Sequence, residues 1–264
     1  MNQLPETSAV LIEAVDGVLT VRLNAPHKRN ALSAPGVAEG LQLALERLER
    51  DPLLRCAVIA GSESVFCSGG DLGQLRDLDR DGVATLMRVN AWLYRRIALL
   101  DKLVIAAVDG PAFGAGLGLA CACDVVVAGP TARFCCAFTR VGAMPDAALF
   151  WSLPARVGTA RARQLMLWAT ELDANQAVDC GLADELGVDN ALSHAGMLAQ
   201  RVVKGPQRAY GRIKAGLRRA PQSLEQALDY QLDNAPSVFD SDDFREGASA
   251  FLGKRRPNFG GRKT

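Results

Sequence analysis

Cys56-Ala57-Val58-Ile59-Ala60-Gly61 and, farther on, Val104-Ile105-Ala106-Ala107-Val108 are the stretches whose reading decides the fold. Both are short, apolar, rich in β-branched residues and bounded by turn formers, so both predict buried strands. A glycine-rich turn comes soon after each. The first is Phe66-Cys67-Ser68-Gly69-Gly70-Asp71-Leu72, and the second is Asp109-Gly110-Pro111-Ala112-Phe113-Gly114-Ala115-Gly116. At neighbouring strand ends, such turns could aim two backbone N–H groups at one point, as an oxyanion hole for a thioester enolate requires. On spacing alone, glycines that merely allow tight turns and close helix packing are the stronger reading.

Outward from these runs, Ala9–Val15 and Val18–Leu23 read as strands joined by Asp16-Gly17, a strong hairpin signal. Ser33 can cap a helix from about Pro35 to Arg50, with Val37, Leu41, Leu45 and Leu48 as its apolar stripe. A second helix is predicted over Val83–Leu100. Gly110–Gly118 leads into a small-residue helix and then a strand at Val125–Ala128. From Thr159 onward every convincing segment is helical: 159–170, 173–180, 189–203, 206–218, 222–238 and 241–253. The pattern predicts an α/β core of about 155 residues with a helical C-terminal third. Leu103–Gly129 is long enough to cross a bilayer, but Asp109, Pro111, Asp124 and five glycines divide it, so a soluble protein is expected.

Composition narrows the function. The chain has 264 residues, 49% of them hydrophobic, which excludes disorder and suffices for a sizeable core. Thirty Lys+Arg against 29 Asp+Glu leave a net charge of +1, which argues against nucleic-acid and membrane-surface partners. Met1–Thr7 carries no secretory pattern, and the seven cysteines are odd in number. Free, buried thiols in a reducing cytoplasm are therefore expected. With only His27 and His194, neither a zinc site nor a histidine-based triad is supported. Walker A spacing is absent, and Gly114-x-Gly116-x-Gly118 departs from the dinucleotide fingerprint.

Four stretches in order give the chain a resemblance to the enoyl-CoA hydratase/isomerase (crotonase) superfamily. They are Leu23–Ser33 (LNAPHKRNALS), Phe66–Leu72, Asp109–Ala120 and Phe244–Arg255 (FREGASAFLGKR). The resemblance implies a crotonase spiral of ββα units over residues 1–200, with a helical C-terminal trimerisation region over 201–264. It implies an acyl-CoA thioester substrate and a homotrimer or dimer of trimers. No metal is implied and no cofactor is tightly bound, since coenzyme A arrives as part of the substrate. By position, the backbone N–H groups of Gly70 and Ala115 would grip the thioester oxygen. Lys28 and Arg29 would face the coenzyme's phosphates, with backbone near Ala31 meeting adenine. Asp71 and Leu72 would flank the adenine and pantetheine path. Phe251 and Lys254 match positions that often approach the coenzyme from a neighbouring subunit.

The acid/base groups separate the reactions. Hydratases of the family use two glutamates, at positions occupied here by Gly118 and Phe138, neither of which can transfer a proton. A carboxylate stands instead at Asp146, in Val141–Ala147, which resembles the loop of the isomerase subgroup that includes ring-1,2-epoxyphenylacetyl-CoA isomerase. There an aspartate shuttles a proton, and moving a double bond from C3 to C2 needs only one such group. Asp146 could instead cap a helix, and the subgroup's glycine pair is replaced here by Ala148-Leu149. Asp109 and Asp124 are expected to satisfy turn backbone. Phe113, Phe138, Met144 and Trp151 could line an acyl pocket or belong to the core. The expectation is an enoyl-CoA isomerase. Its rivals are a hydratase with rearranged acid/base groups and a non-catalytic acyl-CoA- or RNA-binding relative using Lys254-Arg255-Arg256 and Arg262-Lys263.

Overall fold

The structure, a computed structural model, describes residues 9–219 and 223–259. Arg262 and Lys263 lie outside the described residues. The expected hairpin opens the fold: β1 (Val10–Val15) pairs antiparallel with β2 (Val18–Leu23). Asp16 and Gly17 both take positive φ, which matches the twist of a two-residue hairpin. Helix α1 (Val37–Arg50) crosses to β3 (Cys56–Ala60). A short α2 (Leu72–Arg76) and a long α3 (Arg80–Leu99) then lead to β4 (Leu103–Val108). Next come β5 (Pro111–Phe113), α4 (Ala115–Ala122), β6 (Val125–Ala128) and β7 (Arg133–Cys135). Helix α5 (Leu149–Trp168), β8 (Glu171–Asp173), α6 (Ala174–Asp179) and β9 (Glu185–Leu186) follow. The chain finishes with α7 (Ala191–Val203), α8 (Gln207–Leu217), α9 (Leu224–Phe239) and α10 (Asp242–Leu252).

The larger sheet runs β1-β2-β3-β4-β6-β9, parallel from β2 onward, and the smaller runs β5-β7-β8. β3 is buried on both faces because each face has its own cover. Ala57 and Ile59 join the cluster that includes α1's Val37, Leu41, Leu45 and Leu48. Cys56, Val58 and Ala60 join the one that includes α7's Ala191, Ala195 and Ala199. That is the period-two split of a strand between two helical layers. The alanines recur every fourth residue, so α7 offers the sheet a smooth face.

Three elements differ from the sequence reading. Helix α1 starts at Val37 behind Gly36 with no side-chain cap, because Ser33 Oγ is engaged elsewhere, accepting the Asp71 N–H at 2.8 Å. Helix α5 begins at Leu149 rather than Thr159. Gly158, at φ 74° and ψ 156°, interrupts its helical path, and Pro154 precedes the break, so the uninterrupted helical pattern starts only at Thr159. The C-terminal part also contains β8 and β9, which are too short to show a period of two. Among the described residues, no helix is long and apolar enough to cross a membrane.

Candidate active site

The two glycine-rich turns are stitched together. Cys67 bridges Ala112 in parallel: its N–H donates to Pro111 O at 3.0 Å, and its carbonyl accepts the Phe113 N–H at 2.9 Å. Gly69 turns the first loop at φ +97°. A Cβ there would stand 2.8 Å from Phe113 O and 3.0 Å from Ala115 N, so only glycine permits the approach. The surrounding donors are occupied. Gly69 N–H meets Cys67 Sγ at 3.4 Å, Asp71 N–H meets Ser33 Oγ, and Gly114 N–H meets Cys135 O at 3.0 Å. Gly70 and Ala115 N–H have no acceptor among the described residues. Ala115 is also the first residue of α4, where N–H groups are unsatisfied and the helix dipole favours negative charge.

Asp146 reaches this region through the packing of its own loop. Gly118 lies one turn into α4, and a Cβ there would fall 2.3 Å from Ala147 Cβ and 2.6 Å from Ala147 O. The 118 position therefore cannot carry a side chain while the 146 loop stays in place. Ala147 and Ala148 both take left-handed backbone, at φ 53° and 58°. Non-glycine residues there cost of order 1 kcal/mol each and persist only where the surroundings enforce them. The helix-cap reading of Asp146 fails, because Ala148 is the N-cap of α5 and no side chain caps it. Asp146 is half-buried; its Oδ1 is fully buried and has no hydrogen-bond partner. Burial holds its carboxyl above the usual aspartate range.

Asp146 lines a cavity of about 530 Å³, walled by α3, by Ala147, Ala148 and Trp151, and by Arg218 and Arg219. Tyr94 of α3 shares that wall. Its hydroxyl is buried without a partner, and its pKa is pushed up by burial first, then by Asp146 and Cys67. Tyr94 thus lies within electrostatic reach of both the carboxylate and the first turn. The Cys67 thiol, pushed up to about 12 by burial, is a protonated packing group rather than a nucleophile. A second cavity, about 720 Å³, runs between Leu32–Pro35, α2 and α3, and the two cavities share Asn90.

The remaining predicted residues divide into two groups. Lys28 is ion-paired with Asp71 at 2.9 Å, so its charge is already compensated, and that pairing holds the Asp71 carboxyl below its ordinary range. Asp71 also caps α2 by accepting the Gly73 N–H. Arg29 is exposed, and its carbonyl accepts the Ser68 N–H at 3.1 Å, which ties the early signature to the first turn. Ala31 is buried, and Leu72 is exposed. Phe251 is 83% exposed at the end of α10, and neither it nor Lys254 lies on the wall of either cavity. Phe138 approaches the second turn: its ring would be 3.9 Å from a Cβ at Gly114.

Asp109 and Asp124 serve backbone as expected, accepting from Ala191 N and Val104 N. Two residues escaped the sequence reading. Asn30, fully buried, accepts the Ala25 N–H and donates to Ser62 O and Val65 O, and so holds the early signature against the chain leading to the first turn. Tyr94 gave no signal beyond its place on an amphipathic helix. All seven cysteines are free. No group of His, Cys, Asp or Glu suited to a metal occurs among the described residues.

The family described as enoyl-CoA hydratase/isomerase matches residues 13–262. The 1,2-epoxyphenylacetyl-CoA isomerase of Escherichia coli K12 is 37% identical over 260 residues, covering 96% of this chain and 98% of the relative. The crystal structure of an enoyl-CoA hydratase from Polaromonas sp. JS666 superposes with a TM-score of 0.89 at 33% identity, covering 95% of this chain and 99% of the other. The crotonase fold expected from the motifs is the fold found. The two relatives carry different reaction names.

Proposed function

The chain belongs to the enoyl-CoA hydratase/isomerase family, and from that premise we propose that it is an enoyl-CoA isomerase with Asp146 as its proton shuttle. The observation that carries this reading is the exchange between positions 118 and 146. Ala147 fills the space a side chain at 118 would need, and the half-buried carboxylate next to it, with Oδ1 buried and without a hydrogen-bond partner, is on the cavity wall. Among the described residues it is the one carboxylate lining that cavity.

In the reaction, Asp146 removes a proton from C2 of a 3-enoyl thioester. The electron pair spreads over the dienolate to the thioester oxygen, where the Gly70 and Ala115 N–H groups receive it. The same carboxyl then returns the proton at C4, which leaves the C2–C3 double bond. Two preorganised amides suit a charge that exists only along the reaction path, and removing one such donor typically costs about 3 kcal/mol of barrier. The raised pKa of Asp146 makes it a stronger base than a solvated aspartate. The groove past Leu32, Ser33 and α2 is the lane for coenzyme A, with the exposed Arg29, which has no ion pair among the described residues, as the cation offered to its phosphates. The relative's name, together with the Tyr94 and Trp151 rings, supports an acyl group as bulky as a ring-derived one. Leu224, Leu228 and Leu232 recur every fourth residue on α9 and are exposed in the single chain, a face that a homotrimer or dimer of trimers would bury.

The test follows conjugated enoyl-thioester absorbance after the protein meets trans-3-hexenoyl-CoA. A rise abolished by Asp146→Ala supports the reading. Tight thioester binding with no rise overturns it.

A further inference from the structure

The cavity that Asp146 lines also carries positive charge. Arg95 of α3, and Arg218 and Arg219 just past α8, line it together with the apolar Leu99 and Trp151. None of these three guanidiniums has a carboxylate within ion-pair distance among the described residues. Arg96 and Arg212, on the same two helices, are paired with Glu49 and Asp101. Arg219 is held in place: its guanidinium lies 4.8 Å from the centroid of the Tyr230 ring, and the Tyr230 hydroxyl donates to Arg212 O at 2.6 Å. Stacking occupies the face of a guanidinium and leaves its N–H edges free.

The two kinds of group differ in burial: Asp146 Oδ1 and the Tyr94 hydroxyl are buried, whereas Arg95 and Arg219 are exposed. A plain hydrocarbon chain would meet the apolar wall and leave the guanidiniums without partners. A chain ending in a carboxylate would offer them charge-assisted, bidentate bonds. We propose that the acyl group accepted here ends in a carboxylate, held by Arg218 with Arg95 and Arg219. The ligand is thus a mono-thioester of a dicarboxylic acid. The inference rests on the acyl-CoA reading above and narrows its substrate class.

The experiment compares two saturated, unreactive ligands of equal chain length, adipyl-CoA and hexanoyl-CoA, by isothermal titration calorimetry with the full chain. Both acyl groups are then presented as pantetheine thioesters, which lack the coenzyme's phosphates. The expected result is roughly tenfold or greater preference for adipyl on either carrier. Arg218→Met with Arg219→Met should bring the two ligands within about twofold of each other, and Arg218→Lys should restore part of the difference. Hexanoyl-CoA binding reports that the variants are folded. Equal affinity of the wild-type protein for both ligands overturns the proposal and leaves the thioester reading standing. A variant that weakens both CoA thioesters alike, with no preference on pantetheine, also overturns it, because the arginines would then hold phosphates. Failure of every thioester to bind overturns this inference and the thioester reading together.

Discussion

Replacing Asp146 with asparagine should inactivate the protein and stabilise it at once. The substitution keeps the size and one acceptor oxygen but removes the charge and the proton. Desolvating the charged carboxylate costs folding free energy that a neutral amide is spared. Part of the carboxyl group meets solvent, so the gain at neutral pH is expected to be only ~1 kcal/mol. The folded pKa of Asp146 is raised above its unfolded value. Its contribution to stability is therefore fully present below the unfolded pKa and is lost as pH rises through the folded one. The advantage of the asparagine variant should appear at neutral pH and vanish below about pH 4. Denaturant unfolding at several pH values reads the difference, and in a melt ~1 kcal/mol corresponds to a few degrees for a chain of this size. Turnover of trans-3-hexenoyl-CoA should fall by roughly 10²–10⁴-fold. An asparagine variant that is less stable than the parent at neutral pH, or that keeps most of its activity, would refute the reasoning.

Four shorter predictions follow from the same geometry. Activity should fall as pH drops through the raised Asp146 pKa, so the acid limb of a kcat/KM profile should lie above the ordinary carboxylate range and disappear in Asp146→Asn. Gly118→Glu should not create hydration activity; the Cβ clash with Ala147 should cost about 1–3 kcal/mol in denaturant unfolding and lower isomerisation by moving Asp146. Tyr94→Phe removes a buried hydroxyl that has no partner, so the free protein should gain ~1 kcal/mol while KM for the thioester rises. Asn30→Ala strands the Ala25 N–H and the Ser62 and Val65 carbonyls, and should cost roughly 2–4 kcal/mol by the same unfolding measurement.

Those residues also mark what could be read from the sequence. The hairpin at Asp16-Gly17, the buried strands before the two turns and the apolar stripe of α1 are local patterns, and all appear where the pattern put them. The contact between Gly118 and Ala147 joins positions 29 apart, and nothing local announces it. The absence of a glutamate at 118 was legible, but its physical reason was not. Ser33 had every local attribute of a cap, yet the Asp71 N–H claims its hydroxyl across 38 residues. Tyr94 and the three cavity arginines looked like ordinary helix residues, because their meaning depends on α3, α5 and the end of α8 converging on one space. The helix read from Thr159 begins directly after Gly158, where the helical path of α5 is interrupted, so only its second part was found from the sequence.

The central claim is that one carboxylate moves a proton and no water is added. It is tested most directly by following conjugated enoyl-thioester absorbance, and in the same samples the mass of the thioester, while trans-3-hexenoyl-CoA is incubated with the protein in oxygen-labelled water. The account predicts conversion to the conjugated isomer at unchanged mass, abolished in Asp146→Asn. A product heavier by one molecule of labelled water, formed at a rate comparable with isomerisation, would contradict it.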